Sequence, residues 1–212
     1  MIAADAVKQI TLKLAAISTT PRLDAELLAA KILQRSRAWL FAHGEQVLTA
    51  SQHQQLQDLA VRRHCGEPMA YILGHKEFWG FTLTVTPEVL VPRPETEHIV
   101  EWILANFPEY PPLQLADLGT GSGAIALAIA AERPAWRVDA TDISPQALAV
   151  ARQNAENNAA SNVNFFLGDW CVALPAKKYD LLISNPPYIA SAEIAKVPVR
   201  RAPITMVTVL PR

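Results

Sequence analysis

The sequence predicts a small helical bundle followed by a doubly wound α/β domain. Three observations carry that prediction. Residues 1–75 show only helical periodicity, with apolar positions three and four apart. From Leu113 onward, short β-prone runs alternate with helical runs, the pattern of a parallel sheet. A glycine-rich segment, Asp117-Leu118-Gly119-Thr120-Gly121-Ser122-Gly123, falls where the first of these strands passes into the first helix. Glycines there let a backbone come close to a ligand and free a helix N-terminus for contact.

The elements follow in order. Val7, Ile10, Leu14 and Ile17 mark a helix over Ala3–Ile17. Pro21 opens a second, with Leu23, Leu27, Leu28, Ile32 and Leu33 as its buried stripe. Trp39-Leu40-Phe41 begins a short third element. Thr49 or Ser51 caps a fourth helix running to about His64, with Leu56, Leu59 and Ala60 inward. Gly74, Gly80 and Pro87 then break the helical pattern, and Phe78–Thr86 reads as a hairpin. Val91-Pro92-Arg93-Pro94-Glu95-Thr96-Glu97 is stiff and extended, then enters a helix ending near Asn106. Strands are expected at Leu113–Leu118, Arg137–Thr141, Val163–Leu167 and Tyr179–Ser184. Helices are expected at Gly123–Ala131 and at Pro145–Asn157, the latter capped by Ser144. The organisation is thus 1–75 helical, 76–112 hairpin and linker helix, 113–190 α/β, and 191–212 an atypical tail.

Composition excludes several classes. The chain has 212 residues, half of them hydrophobic, and a net charge of −1, so a packed core is expected and no basic excess points to nucleic acid. No apolar run reaches membrane-spanning length, and Asp5 stands early, so neither a membrane segment nor a signal peptide is expected. Cys65 and Cys171 have no metal-ligand or Cys-x-x-Cys spacing and read as reduced core thiols of a cytoplasmic protein. His43, His53, His64, His75 and His98 show no ligand spacing, so no metal is assigned. Lys177-Lys178 reads as a solvated turn.

Asn185-Pro186-Pro187-Tyr188 carries the chemistry. An Asn at a strand end, stiffened by two prolines and backed by an aromatic ring, can grip a planar nitrogen group and present it to an electrophile. The Asn185 oxygen and the Pro186 carbonyl can accept the two N–H bonds of an amide, and Tyr188 can wall one face. Positioning of this kind is worth much in a two-reactant displacement. The upstream loop supplies the other half. Its G-x-G-x-G spacing, after the acidic Asp117, differs from the G-x-G-x-x-G of dinucleotide loops and fits S-adenosylmethionine, which has no pyrophosphate to cradle. Asp117 can help orient the cationic amino end of that ligand. Asp142 stands 25 residues after Asp117 and ends the second strand, where a carboxylate can accept both ribose hydroxyls; it also suits a plain turn beside Ser144. Asp169-Trp170 ends the third strand, where the carboxylate can take an adenine amino hydrogen and the indole can pack on the ring, or simply fill the core.

Together these residues resemble the protein-(glutamine-N5) methyltransferases that modify peptide chain release factors. The resemblance spans residues 1 to about 190. It includes Gly66-Glu67-Pro68-Met69-Ala70-Tyr71-Ile72-Leu73-Gly74, Phe78-Trp79-Gly80, Val91–Glu97, the glycine loop, Asp142, Asp169-Trp170 and the Asn-Pro-Pro-Tyr motif. It implies a Rossmann-like methyltransferase domain dependent on S-adenosyl-L-methionine, and a helical domain that docks a release factor. It implies that Gly119, Thr120, Gly121, Ser122, Gly123, Asp142 and Trp170 hold the donor. Asn185, Pro186, Pro187 and Tyr188 hold the glutamine of the Gly-Gly-Gln tip, and Arg93 and Glu95 line the mouth. Family members continue differently after about Ile189, so the tail reads as a frameshift or premature end that leaves the domain without its C-terminal strands. The fourth strand is then expected to lose its outer neighbours, and the β-prone Ile204–Leu210 either pairs on that edge or promotes aggregation. Two alternatives stand beside the methyltransferase reading. One is an inactive or donor-binding-only product. The other is a nucleic-acid amino-methyltransferase, disfavoured because residues 81–189 hold six Lys and Arg against twelve Asp and Glu.

Overall fold

A computed structural model describes residues 1–185 and the backbone of 206–209. The chain divides into two compact units, Met1–Gly74 and His75–Arg212.

The first unit is helical: α1 (Ala3–Leu14), α2 (Pro21–Leu33), α3 (Arg37–Ala42), α4 (Ala50–His64) and α5 (Met69–Leu73). Ile10, Leu14, Leu28 and Leu56 form its fully buried centre. The inward face of α2 differs from the expected leucine stripe. Ala25, Leu28 and Ala29 pack inward, while Leu23, Leu27, Ile32 and Leu33 are only half-buried. The reason is ionic. Asp24 and Glu26 are buried on this helix because arginines reach them: Arg63 of α4 binds Asp24 at 2.8 Å, and Arg37 binds Glu26 at 2.6 Å. Buried carboxylates need such partners. Helix α1 stops at Leu14, before the predicted Ile17, since Ser18 turns back to donate its hydroxyl to Asp24 at 2.8 Å. Thr49 caps α4 in a reciprocal capping box with Gln52. The short helix α5, absent from the sequence reading, ends on Gly74 in the left-handed region (φ 83°). Cys65 is exposed, as is Cys171 in the second unit, so neither is a core thiol.

The second unit opens with a hairpin of β1 (His75–Phe78) and β2 (Phe81–Thr84), starting three residues before the expected Phe78. Trp79 and Gly80 form its two-residue turn with positive φ (50° and 77°), the backbone that matches strand twist. A tryptophan is held there by two carboxylates: Glu97 accepts its backbone N–H and Glu132 its indole N–H, both at 2.9 Å. A 3₁₀ turn at Pro94–Thr96 leads into α6 (Glu97–Asn106).

Strands β3 (Gln114–Leu118), β4 (Arg137–Asp142), β5 (Val163–Leu167), β6 (Leu181–Ser184) and β7 (Met206–Val209) form one sheet in the order β5-β4-β3-β6-β7. The first four are parallel, linked by α7 (Ala124–Glu132) and α8 (Pro145–Asn157). Every residue of α7 from Ala124 to Ala130 is buried, which is why its sequence is apolar on all sides. Strand β7 pairs antiparallel with β6. The fourth strand of the sequence reading thus has the tail strand on its outer side, and of the two courses expected for Ile204–Leu210 the tail takes edge pairing.

Asn154 of α8 ties this unit together. It is fully buried; its Oδ1 accepts the Thr84 N–H at 2.7 Å, and its Nδ2 donates to the carbonyls of Thr84 (3.0 Å) and Ser122 (2.9 Å). One side chain thus joins the hairpin to the glycine loop. Lys177 is likewise more than a solvated residue: it pairs with the buried Asp139 at 2.8 Å, beside Tyr179, whose hydroxyl donates to the same carboxylate at 2.6 Å. Asn154→Ala leaves three backbone groups without their partner. It should lower unfolding free energy by about 2–4 kcal/mol in urea titration, whereas a change within a few tenths would show that water replaces all three bonds.

Candidate active site

The pairing of β3 with β6 builds the site. Leu118 stands opposite Ser184, so the next residues of the two strands, Gly119 and Asn185, emerge side by side at the carboxyl ends. The Ser184 hydroxyl donates to the Leu118 carbonyl at 2.9 Å and locks that end. The chain leaves β3 towards β4, while β6 lies on the other flank of β3. Ligands of open α/β sheets settle where strand order reverses in this way. An open cleft lies there, bounded by Gly119–Ser122, Asp117, Asn185, Leu90–Arg93 and Thr96.

The glycine loop is held from beneath. The Thr141 carbonyl accepts the N–H groups of both Gly119 and Thr120 at 2.9 Å. Asp142 accepts the Gly121 N–H at 2.9 Å through one oxygen and the Ser144 N–H at 2.9 Å through the other. Asp142 is thus a turn residue and also ties the loop to the end of β4; each oxygen keeps a second lone pair for a ligand. The three glycines have different tasks. At Gly119 and Gly121, both with positive φ (74° and 56°), an added Cβ would meet nothing within 4 Å, so the backbone faces open space. At Gly123 it would meet Ala151 and Leu127 at 3.3 Å, so this glycine serves the packing of α7 on α8.

Asp117 is almost fully buried under the N-terminus of α7. It accepts the Thr120 hydroxyl at 2.6 Å and the Ala126 backbone N–H. Among the described residues it has no cationic partner. Burial pushes its pKa up to about 6; the bonds from Thr120 and Ala126 oppose the rise, and the neighbouring charge of Asp142 adds to it.

Asn185 is half-buried one residue beyond β6. Its Nδ2 donates to the Thr96 hydroxyl at 3.0 Å, and its Oδ1 is uncommitted among the described residues. Of the other expected site residues, Arg93 lines the cleft, while Glu95 is exposed and outside its lining. Strand β5 ends at Leu167, so Asp169 and Trp170 follow it instead of closing it. Both are exposed, Trp170 at 49%, and neither lines the cleft. Gly168 carries them beside β4 by donating its N–H to the Asp142 carbonyl at 3.0 Å. Pro186, Pro187 and Tyr188 lie outside the described residues.

Residues 5–74 match the family model described as the PrmC N-terminal domain, and residues 98–203 match the Methyltransferase small domain. The release factor glutamine methyltransferase of Coxiella burnetii (strain RSA 493 / Nine Mile phase I) is 56% identical over 185 residues, 87% of this chain and 67% of the relative. This chain belongs to the release factor glutamine methyltransferase family. The proteins of that name from Bordetella pertussis (strain Tohama I / ATCC BAA-589 / NCTC 13251) and Escherichia coli (strain K12) are 50% and 46% identical, covering 80% and 81% of this chain. The chain spans 62 to 67% of the length of these three relatives. Among solved structures, the N-terminal domain of human METTL16 in complex with SAH is similar at a TM-score of 0.46 and 18% identity, covering 77% of this chain and 65% of that one.

In this family member the sequence reading missed Thr96 as a partner of Asn185, Thr141 as the carbonyl under the loop, and Asn154 as the link to the hairpin. Thr96 had a signal, since it lies within the Arg-Pro-Glu-Thr-Glu segment already singled out. The other two had none, because any interior strand has carbonyls and any helix can carry an Asn.

The buried Asp117 sets a pH dependence. Its folded pKa of about 6 lies above the ordinary 3.8, so the unfolded chain ionises first. Stability therefore falls as pH rises from about 4 to about 6 and is level above that, a loss of roughly 3 kcal/mol from this group. Asp117→Asn should flatten that descent in urea titrations run across the range. A parallel descent in the variant would clear Asp117 of the effect.

Proposed function

We propose that this chain binds S-adenosyl-L-methionine and directs its methyl group to the side-chain amide nitrogen (N5) of the glutamine in the Gly-Gly-Gln motif of peptide chain release factors, modulating translation termination. The observation that carries the reading is the adjacency of Asn185 and the Gly119–Ser122 loop on one cleft, with the Asn185 Oδ1 uncommitted among the described residues. Family membership and the relatives' names support the acceptor. The charge balance of −6 over residues 81–189 disfavours a phosphate backbone as substrate.

The residues present fit the donor. Gly119 and Gly121 leave room where any side chain would intrude. Asp117 offers a buried carboxylate with no cationic partner among the described residues, suited to a positively charged amino group. Asp142 keeps acceptor capacity at the end of β4, and the exposed Asp169 and Trp170 stand next to it in space through Gly168. When bound, S-adenosylmethionine supplies an electrophilic methyl on a sulfonium.

The chain's own task is to hold an amide nitrogen, a poor nucleophile, in one orientation. Asn185 Oδ1 accepts one amide N–H, and the Pro186 carbonyl and Tyr188 ring complete the grip in this proposal. Accepting that hydrogen raises electron density on nitrogen, and holding the amide converts a two-body encounter into a positioned one. The helical unit 1–74 is the proposed docking element for the release factor, supported by its match to the family's N-terminal domain.

The test is transfer of labelled methyl to an intact release factor, beside a tip variant with alanine in place of the glutamine. Label on the intact factor alone is the expected outcome. Equal label on the variant, or label on DNA, would remove the glutamine assignment; donor binding without transfer would mark a binding-only chain. Asn185→Ala should reduce transfer at least 100-fold while donor affinity by calorimetry changes less than about threefold. Transfer that survives would show that Asn185 does not hold the acceptor.

A further inference from the structure

We infer that Thr96 is the positioning residue of the acceptor site: its hydroxyl holds the Asn185 carboxamide with the oxygen turned to the incoming amide. This inference rests on the function proposed above. Asn185 lies one residue past the end of β6, where strand pairing no longer restrains it. Its terminal torsion is intrinsically broad, so an untethered carboxamide would present oxygen or nitrogen to the cleft without preference. The observed bond, Nδ2–H to Thr96 Oγ1 at 3.0 Å, occupies the nitrogen end. Among the described residues Oδ1 is left as the available acceptor, the group an amide N–H requires. In this bond the Thr96 hydroxyl accepts, and the orientation in which it accepts is the one that turns Oδ1 to the cleft.

Thr96 is well placed for this work. It is 8% exposed, lines the same cleft as Asn185, and sits in the 3₁₀ turn Pro94–Thr96, where its own N–H is bonded to the Arg93 carbonyl at 3.0 Å. The partners come from segments 89 residues apart. The turn after Arg93 therefore braces the strand-end residue across the cleft, which gives that segment a task other than lining the mouth.

The test compares the full chain with Thr96→Val, Thr96→Ser, Asn185→Ala and the Thr96→Val/Asn185→Ala double variant. Valine keeps the branched shape and removes the hydroxyl. We expect Thr96→Val to lose roughly 10–100-fold in kcat/KM for the release factor, with donor affinity within about twofold, and Thr96→Ser to recover most of the loss. The affinity for a Gly-Gly-Gln peptide should be the same in the double variant as in Asn185→Ala, since Thr96 acts only through Asn185. Full activity in Thr96→Val overturns the inference. So do losses that add in the double variant, or a fall in donor affinity and melting temperature that tracks the fall in activity, because each assigns Thr96 a general structural role. An unaltered chain that transfers no methyl overturns the proposed function itself, and this inference with it.

Discussion

The parallel pairing of β3 with β6 is the constraint on which the site depends. Leu118 opposite Ser184 fixes where both strands end, and a one-residue slip would turn Asn185 to the other face of the sheet. The pairing is secured at the site end by the Ser184 hydroxyl on the Leu118 carbonyl and at the far end by Asp180, whose carboxylate accepts the Gln114 N–H at 2.9 Å. Between them Leu181 and Ile183 are buried against the central strands. The register is therefore held by apolar burial along its length and by a polar lock at each end.

Around that pairing the loop segments are braced by single side chains reaching across the fold. Asn154 links hairpin to glycine loop, Asp142 links glycine loop to β4, and Thr96 links the Pro94–Thr96 turn to Asn185. Each brace satisfies backbone or amide groups that the cleft would otherwise leave unpaired. Asp117 runs the other way. A carboxylate nearly out of solvent, and without a cationic partner among the described residues, is a cost to the folded chain at neutral pH; under the proposed function that cost secures a negative end for a cationic ligand.

Much of this was legible in the residues. Strand β5 and helix α8 fall on their predicted limits, because Val163, Phe165 and Phe166 are β-prone and Ser144-Pro145 is an unambiguous helix start. The glycine loop and Asn185 stood out in the sequence as candidate site residues, because glycine and strand-end Asn have few other uses together, and both line the cleft. The inward face of α2 was not. Periodicity sees leucines, and it cannot foresee that Arg37 and Arg63 reach carboxylates on the same helix. The exposure of Trp170 was hidden for a similar reason: its side chain follows a left-handed backbone (φ 47°) set by the turn after Gly168, not by strand alternation.

The sequence by itself determined the layers, the alternation of strands and helices along the chain, and the presence of a glycine loop and an Asn at strand ends, since each rests on local pattern and residue chemistry. The tertiary structure alone decided which strand lies beside which, that Gly119 and Asn185 share one cleft, and that Thr96 meets Asn185 from 89 residues away. It also decided that the tail strand Met206–Val209 covers β6. Contacts between segments distant in the chain depend on how the whole core packs, and no local pattern carries that information.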